Sequence, residues 1–118
     1  MIATRRRIEA ATGYLALGMR TEASDELDAI AAEDRLLPSV LSVRSNLYME
    51  AKQWDLLLAV SRELARQVAT IDPGWIGWAY ALRELNRVEE AKAVLLEAER
   101  IHGKRTATLH YNLSLIHI

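Results

Sequence analysis

The sequence predicts an all-α fold built from paired helices. Three observations carry that expectation. Apolar residues recur at helical spacing along almost the whole chain, and no stretch alternates apolar and polar residues as a half-buried strand does. The segment YLALGMRTEASDELDAI (14–30) also shares its pattern with LRELNRVEEAKAVLLEA (82–98) further along.

The elements follow from periodicity and punctuation taken in chain order. A first helix over 3–17 stops at Gly18, and a second is expected over 21–35, with Ala23, Leu27, Ile30 and Ala31 on one face. Pro38 and Ser39 open a third over 39–51. The apolar series Leu57, Val60, Leu64, Val68 defines a fourth over 54–70. Asp72-Pro73-Gly74 then starts a fifth over 73–85, because Asp72 caps free amides and Pro73 presets φ in the first turn. Asn86 closes that helix. Asn86 and Glu89 have capping-box spacing at the head of a sixth over 88–102, where Glu89 and Glu90 offset the helix dipole. Gly103, Thr106 and Thr108 introduce a seventh over 106–117.

Composition narrows the function classes. With 118 residues the chain suffices for one domain, and 51% hydrophobic with 26% charged residues is an ordinary soluble balance. Fifteen basic against sixteen acidic residues leave a net charge of −1, so no global field draws the chain to nucleic acid or to an anionic membrane. The Arg5-Arg6-Arg7 cluster is too small a footprint to change that, and reads as a solvated helix end. The absence of cysteine removes disulfides, thiolate nucleophiles and cysteine zinc sites, and fits a cytoplasmic setting. Glu9 interrupts the approach to the apolar stretch Ala10–Met19, which argues against a signal peptide, and that stretch is far too short to span a bilayer.

Sliding the chain against itself exposes a constant interval of 34 residues. It relates Ala23, Leu57 and Ala91; Tyr14, Tyr48 and Leu82; Ile30, Leu64 and Ala98; and Ala11, Ser45 and Ala79. The turns recur at the same interval, at Gly18, Lys52 and Asn86. Gly and Asn tolerate the left-handed conformation that reverses the chain after a helix, whereas Lys52 predicts strain or an altered turn.

Paired helices with this period resemble the tetratricopeptide repeat family, whose unit follows a loose W-x2-L-G-x2-Y, A, F, A, P pattern. The third copy matches best, with Trp75, Ala79, Leu82, Ala91, Leu95 and Ala98 at the pattern positions. The first keeps Tyr14, Ala23 and Leu27 but has Arg7 where a large apolar residue is usual. The second keeps Tyr48 and Trp54 but places Leu57 at an Ala position and Ser61 at the Phe position, so its packing is the least regular. The resemblance implies a single domain over 1–118, a right-handed α-solenoid with repeats near 4–37, 38–71 and 72–105 and the first helix of a fourth at 106–118. Such helix pairs stack on their neighbours because neither can bury both faces alone. Trp75 and Trp78 are expected to fill the core, and Trp54 to act as a structural plug.

The resemblance also implies a function without chemistry, a scaffold that binds a protein or peptide partner on the first helix of each pair. The residues carried onto that groove are Thr12, Asn46, Met49, Glu50, Tyr80, Arg83 and Glu84, within a wider face that includes Arg5, Ile8, Leu15, Ser42 and Ile76. Members that grip the carboxylate tails of heat-shock chaperones use Lys, Asn and Arg at set positions. Here those positions hold Ile8, Thr12, Asn46, Pro73 and Gly77, and only Asn46 agrees. The alternative is a secretion-type chaperone of similar repeats, masking hydrophobic segments of exported proteins, against which the mixed groove argues. No phosphate loop or nucleophile constellation appears, and His102, His110 and His117 match no familiar metal spacing, so neither enzyme activity, cofactor nor metal is expected.

The C-terminal LIHI exposes apolar residues where a repeat array usually ends in a polar helix. Two readings stay open. The ending SLIHI resembles translated adapter read-through, making the chain a fragment of a longer repeat protein. Taken as native, Leu113, Leu115, Ile116 and Ile118 form a candidate homodimer contact.

Overall fold

The computed structural model describes residues 2–69 and 72–102. Among them are six α-helices and no strand: α1 (Ile2–Ala16), α2 (Arg20–Asp28), α3 (Pro38–Glu50), α4 (Trp54–Gln67), α5 (Asp72–Glu84) and α6 (Val88–His102), with a short 3₁₀ turn at Ala32–Asp34. None of these helices is long and apolar enough to cross a membrane. The expected seventh helix over 106–117 and the apolar residues Leu113–Ile118 lie outside the described residues.

One expected element needs correction. The second helix ends at Asp28 instead of continuing to 35. Arg35 folds back and donates to the carbonyls of Ile30 (3.1 Å) and Asp28 (3.2 Å), so a side chain satisfies acceptors that a longer helix would have paired. The Thr4 hydroxyl donates to the Asp34 carboxylate and fastens the 3₁₀ turn to α1. Ile30, only 2% exposed, is then buried from the loop. Leu37 is extended (φ −62°, ψ 140°) ahead of Pro38, as steric conflict with the proline ring requires.

The 34-residue interval survives in the backbone. Gly18, Lys52 and Asn86 have φ of 74°, 57° and 63°. At each turn the same two hydrogen bonds close the preceding helix. The amides of Gly18, Lys52 and Asn86 donate to the carbonyls of Leu15 (3.0 Å), Met49 (3.2 Å) and Arg83 (3.0 Å). Those of Met19, Gln53 and Arg87 reach back to Tyr14 (2.8 Å), Tyr48 (2.9 Å) and Leu82 (2.8 Å). This is the Schellman closure, formed three times. Lys52 makes it unaltered, and of the two expected outcomes, strain or an altered turn, it shows the first, in a conformation that costs a residue with a Cβ about 1–2 kcal/mol.

Burial repeats too. Ala23, Leu57 and Ala91 are each fully buried, as are Leu27, Ser61 and Leu95, while Ile30, Leu64 and Ala98 are at most 2% exposed. Ser61 is the exception in chemistry. Its hydroxyl sits where its two counterparts are leucine and has no hydrogen-bond partner among the described residues.

The chain divides into two compact units, Met1–Gln53 and Trp54–Ile118. The division falls at the Lys52 turn, inside the second sequence repeat and not between repeats. In the first unit α1 packs on α2, and α3 packs on both. Its core comprises Ala11, Ala23, Leu27, Ile30, Val40, Val43 and Leu47, flanked by Ile8, Tyr14, Leu15, Leu37 and Tyr48. Arg7, at a position where an apolar residue was expected, pairs at 2.9 Å with Glu26 on α2.

In the second unit α5 packs against both α4 and α6. Ala65, Trp75, Ala79, Leu82, Ala91, Val94, Leu95 and Ala98 form the core. Close approach of α5 to α4 depends on Gly74, where an added Cβ would stand 2.5 Å from the Ala65 amide nitrogen and 2.9 Å from its Cα. Neither backbone atom can swing aside.

Two stability measurements test this account. In urea unfolding Lys52→Gly should gain about 0.5–1 kcal/mol, the left-handed strain relieved less the entropy of glycine. Gly74→Ala, in a helix where alanine is the better former, should instead lose about 1–3 kcal/mol by overpacking against Ala65.

Candidate functional site

The groove residues expected from the sequence fall into two sets, one in each unit. Thr12 on α1 and Asn46, Met49 and Glu50 on α3 belong to the first. The Thr12 hydroxyl is turned back to the Ile8 carbonyl at 2.8 Å, and so is already occupied. Asn46 is exposed with a free side-chain amide among the described residues, Met49 is half-buried, and the Glu50 carbonyl accepts from Arg20 at 2.9 Å. The Glu50 side chain is exposed, so Asn46, Met49 and Glu50 all present side-chain groups at the surface of this set.

Tyr80, Arg83 and Glu84 form the second set, and here the structure builds a cluster. The Arg83 guanidinium lies over the Tyr80 ring, 4.7 Å from its centroid, and donates to Glu84 at 2.8 Å. On its other side Tyr80 meets Trp54, at 5.7 Å between centroids and a tilt of 52°. Trp54, expected as a plug, is half-buried and belongs to this surface. Helical arithmetic could not find it, because Trp54 opens α4 and reaches Tyr80 only through the packing of α4 on α5. The result is a wall of two aromatic rings capped by a cation, with an acceptor beside it.

Trp75 is core, as expected, at 6% exposure, and its indole N–H donates to the Ala69 carbonyl at 2.9 Å. Trp78 is not. It stacks on Trp75 (5.7 Å, 25°) but remains half-buried, with Arg62 5.8 Å above its ring. Together these residues line a hollow of about 580 Å³ between α4, α5 and Ile101 of α6, a feature that sequence reasoning missed. Its only trace in the sequence is the run Arg62, Glu63, Arg66 beside an otherwise apolar helix face.

Charge at that hollow is set by neighbouring side chains. Hydrogen bonds from Arg66 and then Gln67 hold the Glu63 carboxyl at about 2, below the ordinary 4.5. The same hydrogen bond raises Arg66. Glu90 and Glu97 are lowered in the same way by Arg87 and Arg100. Among the described residues no group of three His, Asp or Glu side chains is placed to hold a metal ion. His110 and His117 lie outside them.

No family model matches this chain, and no curated protein matches it significantly.

The Glu63 carboxyl offers a titration test. A carboxyl whose pKa is lower in the folded state stabilises the fold above its unfolded value near 4.5, and that contribution is lost as pH falls through about 2. Solvent screening keeps the gain small for an exposed pair, so the readout is the carboxyl resonance itself. Its NMR midpoint should lie near 2 and move upward in Arg66→Gln.

Proposed function

We propose that this chain is a run of tetratricopeptide-like repeats, stacked as a right-handed α-solenoid, that serves as a non-enzymatic scaffold for a peptide or helix of another protein. The observation that supports this reading is the threefold recurrence, at 34 residues, of a left-handed turn with the same pair of closing hydrogen bonds and the same buried positions. A sequence that repeats its packing residues devotes its distinctive positions to holding helix pairs together, which leaves the varied exposed residues to recognise a partner. The absence of cysteine fits a cytoplasmic scaffold.

Within that reading Tyr80 and Trp54 supply rigid contact area, and Arg83 and Glu84 supply a donor and an acceptor. Binding to the carboxylate tails of chaperones is not part of the proposal, since the positions that would carry it hold Ile8, Thr12, Pro73 and Gly77.

A displayed peptide library selected on the intact chain supplies a defined ligand. Tyr80→Ala combined with Arg83→Ala should leave far-UV circular dichroism unchanged and weaken that ligand at least tenfold, in keeping with aromatic and arginine hot spots. Ligands insensitive to this pair would overturn the proposal.

A further inference from the structure

We infer that the face of α5 opposite Tyr80 is a second docking surface, one that takes a short peptide segment carrying a carboxylate beside a large apolar side chain, with Arg62 and Trp78 as its centre. At about 100° per residue, Trp75, Trp78 and Leu82 lie on the other side of α5 from Tyr80, Arg83 and Glu84, so this surface stands or falls apart from the groove proposed above.

Arg62 and Trp78 border two adjoining hollows. One, of about 580 Å³, is walled on its apolar side by Ala59, Ala69, Trp75 and Ile101, and has the size and lining that receive a large side chain. The other, of about 300 Å³, lies toward Leu58, Ala93 and Val94. Across both, the charged residues are Arg62, Arg66 and Arg87 with Glu63 and Glu90. Each glutamate is already held by its own arginine, Glu63 by Arg66 and Glu90 by Arg87. Arg62 is left over.

Among the described residues Arg62 has no ion pair and no hydrogen bond, and its one specific contact is with the Trp78 ring. The contact with the ring engages none of the guanidinium's N–H donors, so the fork that matches a carboxylate stays open. An uncompensated cation between two apolar hollows is complementary to a carboxylate next to an apolar side chain. A purely apolar segment would cover Arg62 without pairing it, which carries a desolvation penalty. A segment with a basic residue would meet repulsion.

The probe is a fluorescent peptide, acetylated and amidated so that its only carboxylate is internal, of sequence Gly-Ser-Leu-Asp-Leu-Ser-Gly, compared with the same peptide bearing Asn in place of Asp. Fluorescence anisotropy on the full chain should show the Asp peptide binding at least tenfold more tightly than the Asn peptide. Arg62→Gln, at an exposed position, should abolish that preference without changing helicity, and Arg62→Lys should retain part of it. Tyr80→Ala should have no effect. Amide shifts on adding the Asp peptide should centre on Ala59, Arg62 and Trp78. Equal binding of the two peptides, no binding at millimolar peptide, indifference to Arg62→Gln, or shifts centred on Tyr80 would each overturn the proposal.

Discussion

Closure of each first helix depends on a single residue held at positive φ. Gly18, Lys52 and Asn86 each turn the backbone so that two successive amides reach back to carbonyls of the helix just ended. A helix leaves its last carbonyls unpaired, and these two bonds satisfy carbonyls of its last turn. Because the closure is local, it sets where the next helix begins. The three helices after the turns start at Arg20, Trp54 and Val88, at a constant interval, even though the turn residues differ in chemistry. Lys52 shows that the geometry takes precedence over the residue, since a side chain that disfavours the conformation adopts it all the same.

Small side chains govern what happens beyond the turn. Ala11 and Ala23 in the first unit, and Ala79, Ala91 and Ala98 in the second, are buried with almost no exposed area. A larger residue there would hold the helices apart and leave voids around Leu27 or Leu95. Gly74 carries the same logic further, to an approach of α5 on Ala65 that excludes even a methyl group. Ser61 marks the opposite case, a volume and polarity that fit neither rule, buried without a partner for its hydroxyl among the described residues.

The surfaces are neutralised by short-range pairs, chiefly between residues three apart in sequence. Glu63 with Arg66, Arg87 with Glu90, Lys92 with Glu89 and Arg100 with Glu97 follow this spacing. Such pairing leaves little long-range field, in keeping with a net charge of −1. It also makes exceptions conspicuous. Arg83 is tied to Tyr80 and Glu84 on one face of α5, while Arg62 stands over Trp78 on the other with no carboxylate partner among the described residues.

Periodicity and spacing alone determined the helical class, the 34-residue interval, the turn positions and most of the buried set, because each depends on residues close in sequence or on a strictly repeated pattern. The end of α2 was not legible. It depends on Arg35 returning to Ile30 and Asp28 and on Thr4 reaching Asp34 from another helix, contacts that no local propensity encodes. Of the candidate site, Tyr80, Arg83 and Glu84 were legible as neighbours one turn apart, but Trp54 joined them only through the packing of α4 on α5. That Arg62 is unpaired among the described residues was likewise decided by tertiary structure. In the sequence it stands next to Glu63, yet on a helix adjacent residues point about 100° apart, and Arg66 and Gln67, three and four residues on, take the carboxylate instead.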